Sequence, residues 1–215
     1  MLNKRIKDTE ERIESYRTKK EQAADYQNQV KNRTDLISET RKAIKLLNCY
    51  VKCQQLTSFT DDKELKTELV DFIESLADLN NGDTVDIGNI TEMKDWYGDL
   101  LKQINEQWKA YFNPQKKKAF AFLDLAKTFS PDQVKRLRTA LEKGNNFPLE
   151  TDEFSKILKA LNETEQISRS IGSEEVQKFL KKINKDKATI SDLNEEIMNW
   201  IKENQLENRL KISFQ

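Results

Sequence analysis

Histidine is absent from the 215 residues. That removes the commonest general base and the commonest metal ligand. Neither a Ser-His-Asp triad nor a Cys-His pair can be assembled. Cys49 and Cys53 are the only cysteines, so a four-coordinate zinc site would need two carboxylates besides, an unusual ligand set. The five glycines are scattered, with only Gly82, Gly88 and Gly98 near one another. No G-x-x-x-x-G-K-S/T and no G-x-G-x-x-G occurs, so no loop is built to cradle phosphate. The composition predicts a non-enzymatic chain with no cofactor and no bound metal. An enzyme working with carboxylates alone is the least favoured reading, because no ligand set or acid-base pair is apparent.

Long apolar runs are missing too. None approaches the roughly 18 residues that a bilayer-spanning helix needs. The opening MLNKRIKDTEERIESYR has no apolar stretch of the signal-peptide kind. Two cysteines do not make a disulfide framework. The expectation is a cytoplasmic protein without membrane contact, and the abundance of Lys and Asn points to an AT-rich bacterial or phage genome. Glycine and proline are also scarce, at five and three. β proteins need turn residues every 8–12 positions, about two to three times more than this chain supplies. Stretches rich in Glu, Lys, Leu, Gln and Ala favour helix. The fold class is therefore all-α, with a long N-terminal coiled-coil-like helix packed on a multi-helix bundle of shorter helices.

The first 58 residues contain neither Gly nor Pro. Apolar or small residues fall at Leu2, Ile6, Thr9, Ile13, Tyr16, Ala23 and Val30. The alternating steps of four and three make a heptad seam. Lys20 and Gln27 interrupt it at core-type positions. It resumes at Ile37, Thr40, Ile44, Leu47 and Val51, one step short, which reads as a three-residue stammer. Leu36, Ala43, Leu46, Tyr50 and Leu56 widen the face there. The pattern predicts an arm running into a packed core, against the alternative of a merely solvated helix. Thr60 or Asp61 caps a second helix that ends at the turn 80–83. A loop at 84–89 leads to a third helix from Thr91, which Asn113-Pro114 closes. A fourth covers 115–128. Ser130-Pro131 opens a fifth, and Gly144 stops it. Further helices are expected near 151–161, weakly at 163–170, after Ser173 and after Ser191, with an alternating tail at 209–214. The break at Pro114 divides the chain into 1–113 and 114–215.

Charge is segregated although 37 basic and 37 acidic residues cancel. Residues 1–60 carry a net +5, residues 61–113 a net −8 and residues 114–215 a net +3. Basic clusters occur at Lys116-Lys117-Lys118, at Lys135, Arg136 and Arg138, and most densely at Lys178, Lys181, Lys182, Lys185 and Lys187. The last cluster is the candidate for phosphate contact, diluted by Glu174, Glu175 and Asp186. Cys49 and Cys53, one helical turn apart, read as small core residues rather than as a metal or redox site. Trp96, Tyr97, Trp108, Tyr111 and Phe112 read as core rather than as a binding platform. Asp95 and Asp99 share a helix face and read as solvated.

Together these features predict a helical accessory subunit that assembles with a larger protein. Leu2, Ile6, Ile13, Tyr16, Ala23 and Val30 would bind the partner, or a second copy of the chain. By analogy, the larger protein is a bacterial ATPase or nuclease assembly, including those of phage defence. The alternative is a DNA- or RNA-binding adaptor using the basic clusters.

Overall fold

A computed structural model describes residues 2–59, 63–82 and 84–207, with side chains from Lys7 onward except that of Lys63. The expected cap at Thr60 or Asp61 and the tail at 209–214 lie outside the described residues. Among the described residues the regular structure is all helical, with no strand. The helices are α1 (Leu2–Leu56), α2 (Lys63–Asn81), α3 (Ile87–Ala126), α4 (Pro131–Glu142), α5 (Thr151–Ile171), α6 (Glu174–Ile183) and α7 (Glu195–Glu203). Single 3-10 turns occupy Lys143–Asn145 and Ile190–Asp192.

Two compact units divide the chain, and not at Pro114. The first comprises Met1–Leu47 and Asp61–Gln103; the second comprises Asn48–Thr60 and Ile104–Gln215. Both α1 and α3 therefore contribute residues to each unit.

In the first unit the core is drawn from three helices. Leu36, Ala43 and Leu46 of α1, Leu65, Leu69, Phe72 and Leu76 of α2, and Ile90, Met93 and Leu100 of α3 are all buried. Trp96 meets Phe72 edge-on at 5.4 Å between ring centroids. Polar bonds fasten α1 to the segment that follows α2. The Val85 amide donates to Gln29 Oε1 at 3.1 Å, and Asn32 Nδ2 donates to the Val85 carbonyl at 2.9 Å.

The second unit is built round Trp108. Its indole stacks on Phe112 at 5.0 Å and meets Phe147 and Phe154, each at 5.8 Å. Its Nε1 donates to the Gly144 carbonyl at 2.8 Å. Each such ring buried contributes roughly 1.5–3 kcal/mol. Gly144 is thus needed for space. A Cβ there would lie 2.5 Å from Phe112 Cε1.

Several expected boundaries move. Helix α3 passes through Pro114 and merges the expected third and fourth helices. The buried positions Ile104, Trp108, Phe112, Ala119, Leu123 and Ala126 continue on one face across the proline, which is itself exposed. Their burial outweighs the backbone hydrogen bond that proline cannot make. The pieces expected at 151–161 and 163–170 form one helix, α5, which ends at Gly172 with φ +67°. Gly144 follows α4 inside a 3-10 turn and does not terminate it through a left-handed φ. Ser191 also sits in a 3-10 turn; Asn194 caps α7 instead, accepting from the Ile197 amide at 2.9 Å. Ser173 does cap α6, accepting from the Val176 amide.

Candidate functional site

Helix α1 carries two apolar faces. One is buried: Leu36, Ala43 and Tyr50 recur every seven residues, with Leu46 and Cys53 beside them. The other follows the expected seam. Its seven-residue ladder Tyr16, Ala23, Val30, Ile37, Ile44 runs unbroken, so the ladder itself has no stammer. Seven residues make nearly two helical turns, so each ladder keeps to one side, and the two, one residue apart, are offset by about 100° round the helix. Tyr16 is 68% exposed, Ile13, Val30 and Ile37 each 48%, and Ile44 50%; Ala23 is exposed as well. Ile37 and Ile44 are therefore not part of a single widening face that enters the core. The side chains of Leu2 and Ile6 lie outside the described residues.

From 7 to 28 every described side chain is exposed, including Lys20 and Gln27. Burial begins where Gln29 and Asn32 meet the Val85 backbone. The helix is continuous because nothing between Leu2 and Leu56 breaks it. The threonines return their hydroxyls to the backbone: Thr18 to the Glu14 carbonyl, and Thr34 to the Val30 carbonyl at 2.9 Å.

The basic cluster falls on α6 and the turn after it. Ion pairs already engage two of its lysines. Lys178 lies 3.3 Å from Glu174 and 3.2 Å from Glu175, and the Glu175 hydrogen bond foremost raises its pKa. Lys182 pairs with Asp192. The Lys182 hydrogen bond and the Thr189 amide hold the Asp192 carboxyl below its ordinary range. Lys181, Lys185 and Lys187 are exposed and form no ion pair among the described residues. The geometry leaves three of the five lysines for an external anion.

Cys49 and Cys53 are buried and unbridged. Burial pushes the Cys53 thiol up to about 11. Trp108 and Phe112 are fully buried, while Trp96, Tyr97 and Tyr111 are half-buried. Asp95 and Asp99 are exposed on α3. Among the described residues no three Cys, Asp or Glu side chains group closely enough to hold a metal ion. Nor is any described helix long and apolar enough to cross a membrane.

One feature has no forewarning in the sequence. In the second unit a groove of about 390 Å³ runs between the end of α1, the middle of α3 and α5. Leu56, Tyr111, Phe122 and Leu158 supply apolar walls; Gln115 and Glu165 are polar. These residues come from three helices far apart in the chain, and no local period brings them together. No family model, no curated protein and no solved structure matches this chain.

Proposed function

We propose that the protein is a non-enzymatic helical subunit that joins a larger protein through the exposed face of α1. One observation carries this reading: α1 presents a second apolar ladder, about 100° round the helix from the buried one, and leaves it about half exposed. A surface helix of a globular protein normally has one apolar stripe. A second stripe with seven-residue spacing is the pattern that covers itself with another helix. The segment 7–28 makes no use of its length in cis, since all its side chains face solvent. A bacterial ATPase or nuclease assembly remains the class of partner this subunit would serve, by analogy with other accessory subunits.

Removal of residues 1–28 is the test. The truncated chain should keep its fold and lose its partner on copurification from the native host. A truncated chain that copurifies unchanged would place the interface elsewhere. A second reading, contact with nucleic acid, draws support from Lys181, Lys185 and Lys187. It predicts binding that falls steeply between low and physiological salt.

A further inference from the structure

The exposed face of α1 is patterned in charge as well as in hydropathy. With Ile13 and Tyr16 as core positions a and d, Arg12, Lys19 and Arg33 fall at g, and Arg17 and Lys31 at e. Lys20 occupies a core position itself. Within 7–35, Glu10 is the one acid on this side. The opposite side, positions b, c and f, carries Asp8, Glu11, Glu14, Glu21, Asp25 and Asp35, with Lys7 its one base. The charges of this segment cancel in sum, so net charge hides the separation round the helix.

The bases beside the stripe are largely unneutralised. Arg12, Lys19, Lys20 and Lys31 are exposed and form no ion pair among the described residues. Arg17 reaches Glu14 only at 3.9 Å, with both side chains in solvent, a contact of little strength. Arg33 is engaged in cis, donating to the Gly82 carbonyl at 3.1 Å.

Flanking charges decide which helix a heptad seam accepts. In a parallel pair of identical helices, g of one heptad faces e of the next, which sets Arg12 against Arg17. In an antiparallel pair g faces g, which sets Arg12, Lys19 and Arg33 against one another. Both arrangements oppose like charges. Nucleic acid is a poorer match, because its phosphates would meet a half-apolar stripe on a helix whose far side is acidic. We infer that the face takes an acidic helix of a different chain, with aliphatic residues at its core positions and Glu or Asp at its flanking ones. This inference rests on α1 being a pairing surface.

The full-length chain can be titrated with two labelled synthetic helices of about four heptads. Both have the same Leu and Ile core; one carries Glu at every e and g position, the other Lys. The Glu helix should bind at least about 10-fold more tightly at low salt, and the margin should shrink as salt screens the pairs. The variant R12E/R17E/K19E should reverse the preference with an unchanged melting temperature, since all three side chains are exposed. Equal affinities, or a preference for the Lys helix, would overturn the inference. So would self-association of the chain that the Glu helix does not displace, or displacement of the Glu helix by duplex DNA. The variant I13D/V30D separates this failure from that of the pairing reading. If it disrupts the native complex while neither synthetic helix is preferred, only the charge assignment fails. If the native complex survives it and neither helix binds, the pairing surface itself is wrong.

Discussion

Gly144 and Cys53 are small residues whose surroundings set their behaviour. Gly144 sits against the Phe112 ring and accepts from Trp108. Gly144→Ala should cost about 1–3 kcal/mol in denaturant unfolding, the range for overpacking a tight core. Trimming the ring in the double variant Gly144→Ala/Phe112→Leu should return part of the loss of Gly144→Ala relative to Phe112→Leu alone. Burial raises the Cys53 thiol from 9.0 to about 11; the Thr57 hydroxyl opposes the shift and Cys49 adds to it. The unfolded chain's thiol ionises first as pH rises. The stabilising contribution is therefore complete below pH 9 and drains away towards pH 11. A melting temperature followed from pH 8 to 11 should fall less steeply in Cys53→Ala. At pH 8 the native thiol should also react far more slowly with a disulfide reagent than an exposed cysteine does, because the thiolate is the nucleophile. The sequence alone assigns both cysteines to a core. It misassigns Gly144, because a glycine after a helix usually marks a left-handed φ, and only the neighbouring ring shows that space is the constraint.

Helix α3 shows how far packing overrides local preference. Proline in a helix interior is about 3 kcal/mol less favourable than alanine, yet α3 continues from Ile87 to Ala126 through Pro114. Pro114 is exposed, so replacing it should leave the core untouched. Pro114→Ala should therefore raise stability by up to about 3 kcal/mol, read as a higher denaturant midpoint at constant slope. The same competition explains α5. The polar run Asn162-Glu163-Thr164-Glu165 interrupts the apolar period and argues locally for a break. In the structure Thr164 is buried, its hydroxyl donating to the Ala160 carbonyl at 2.8 Å. A satisfied hydroxyl removes most of the cost of placing threonine in a core. Starts were legible where a side chain acts on its own helix. Ser173 is such a case. Asn194 was missed because Ser191, three residues earlier, offers the same local signal and belongs to a 3-10 turn instead.

For the whole molecule, stability and assembly should separate along α1. Among the described side chains, removing 1–28 deletes only exposed ones, those of 7–28, and it should shift the melting temperature by no more than about 2 °C. Removing 1–35 also deletes Gln29 and Asn32, which hold the Val85 backbone, and Arg33, which holds the Gly82 carbonyl. That longer truncation should melt several degrees lower, by about 1 kcal/mol for each bond lost. A melting temperature equally unaffected by both would mean that these bonds contribute nothing to the first unit.

The all-helical fold, the heptad ladder on α1 and the absence of histidine chemistry were fixed by residue types and their spacing alone. Periodicity records which sides of a helix are apolar. It does not record which element, in cis or in another chain, covers each side. Tertiary structure decided that Leu36, Ala43 and Tyr50 are buried while Val30, Ile37 and Ile44 stay exposed. It also decided that burial on both flanks of Pro114 outweighs one missing hydrogen bond, and that three separate helices frame the groove beside Leu56. These outcomes depend on contacts between residues distant in the chain, and such contacts leave no period in the sequence.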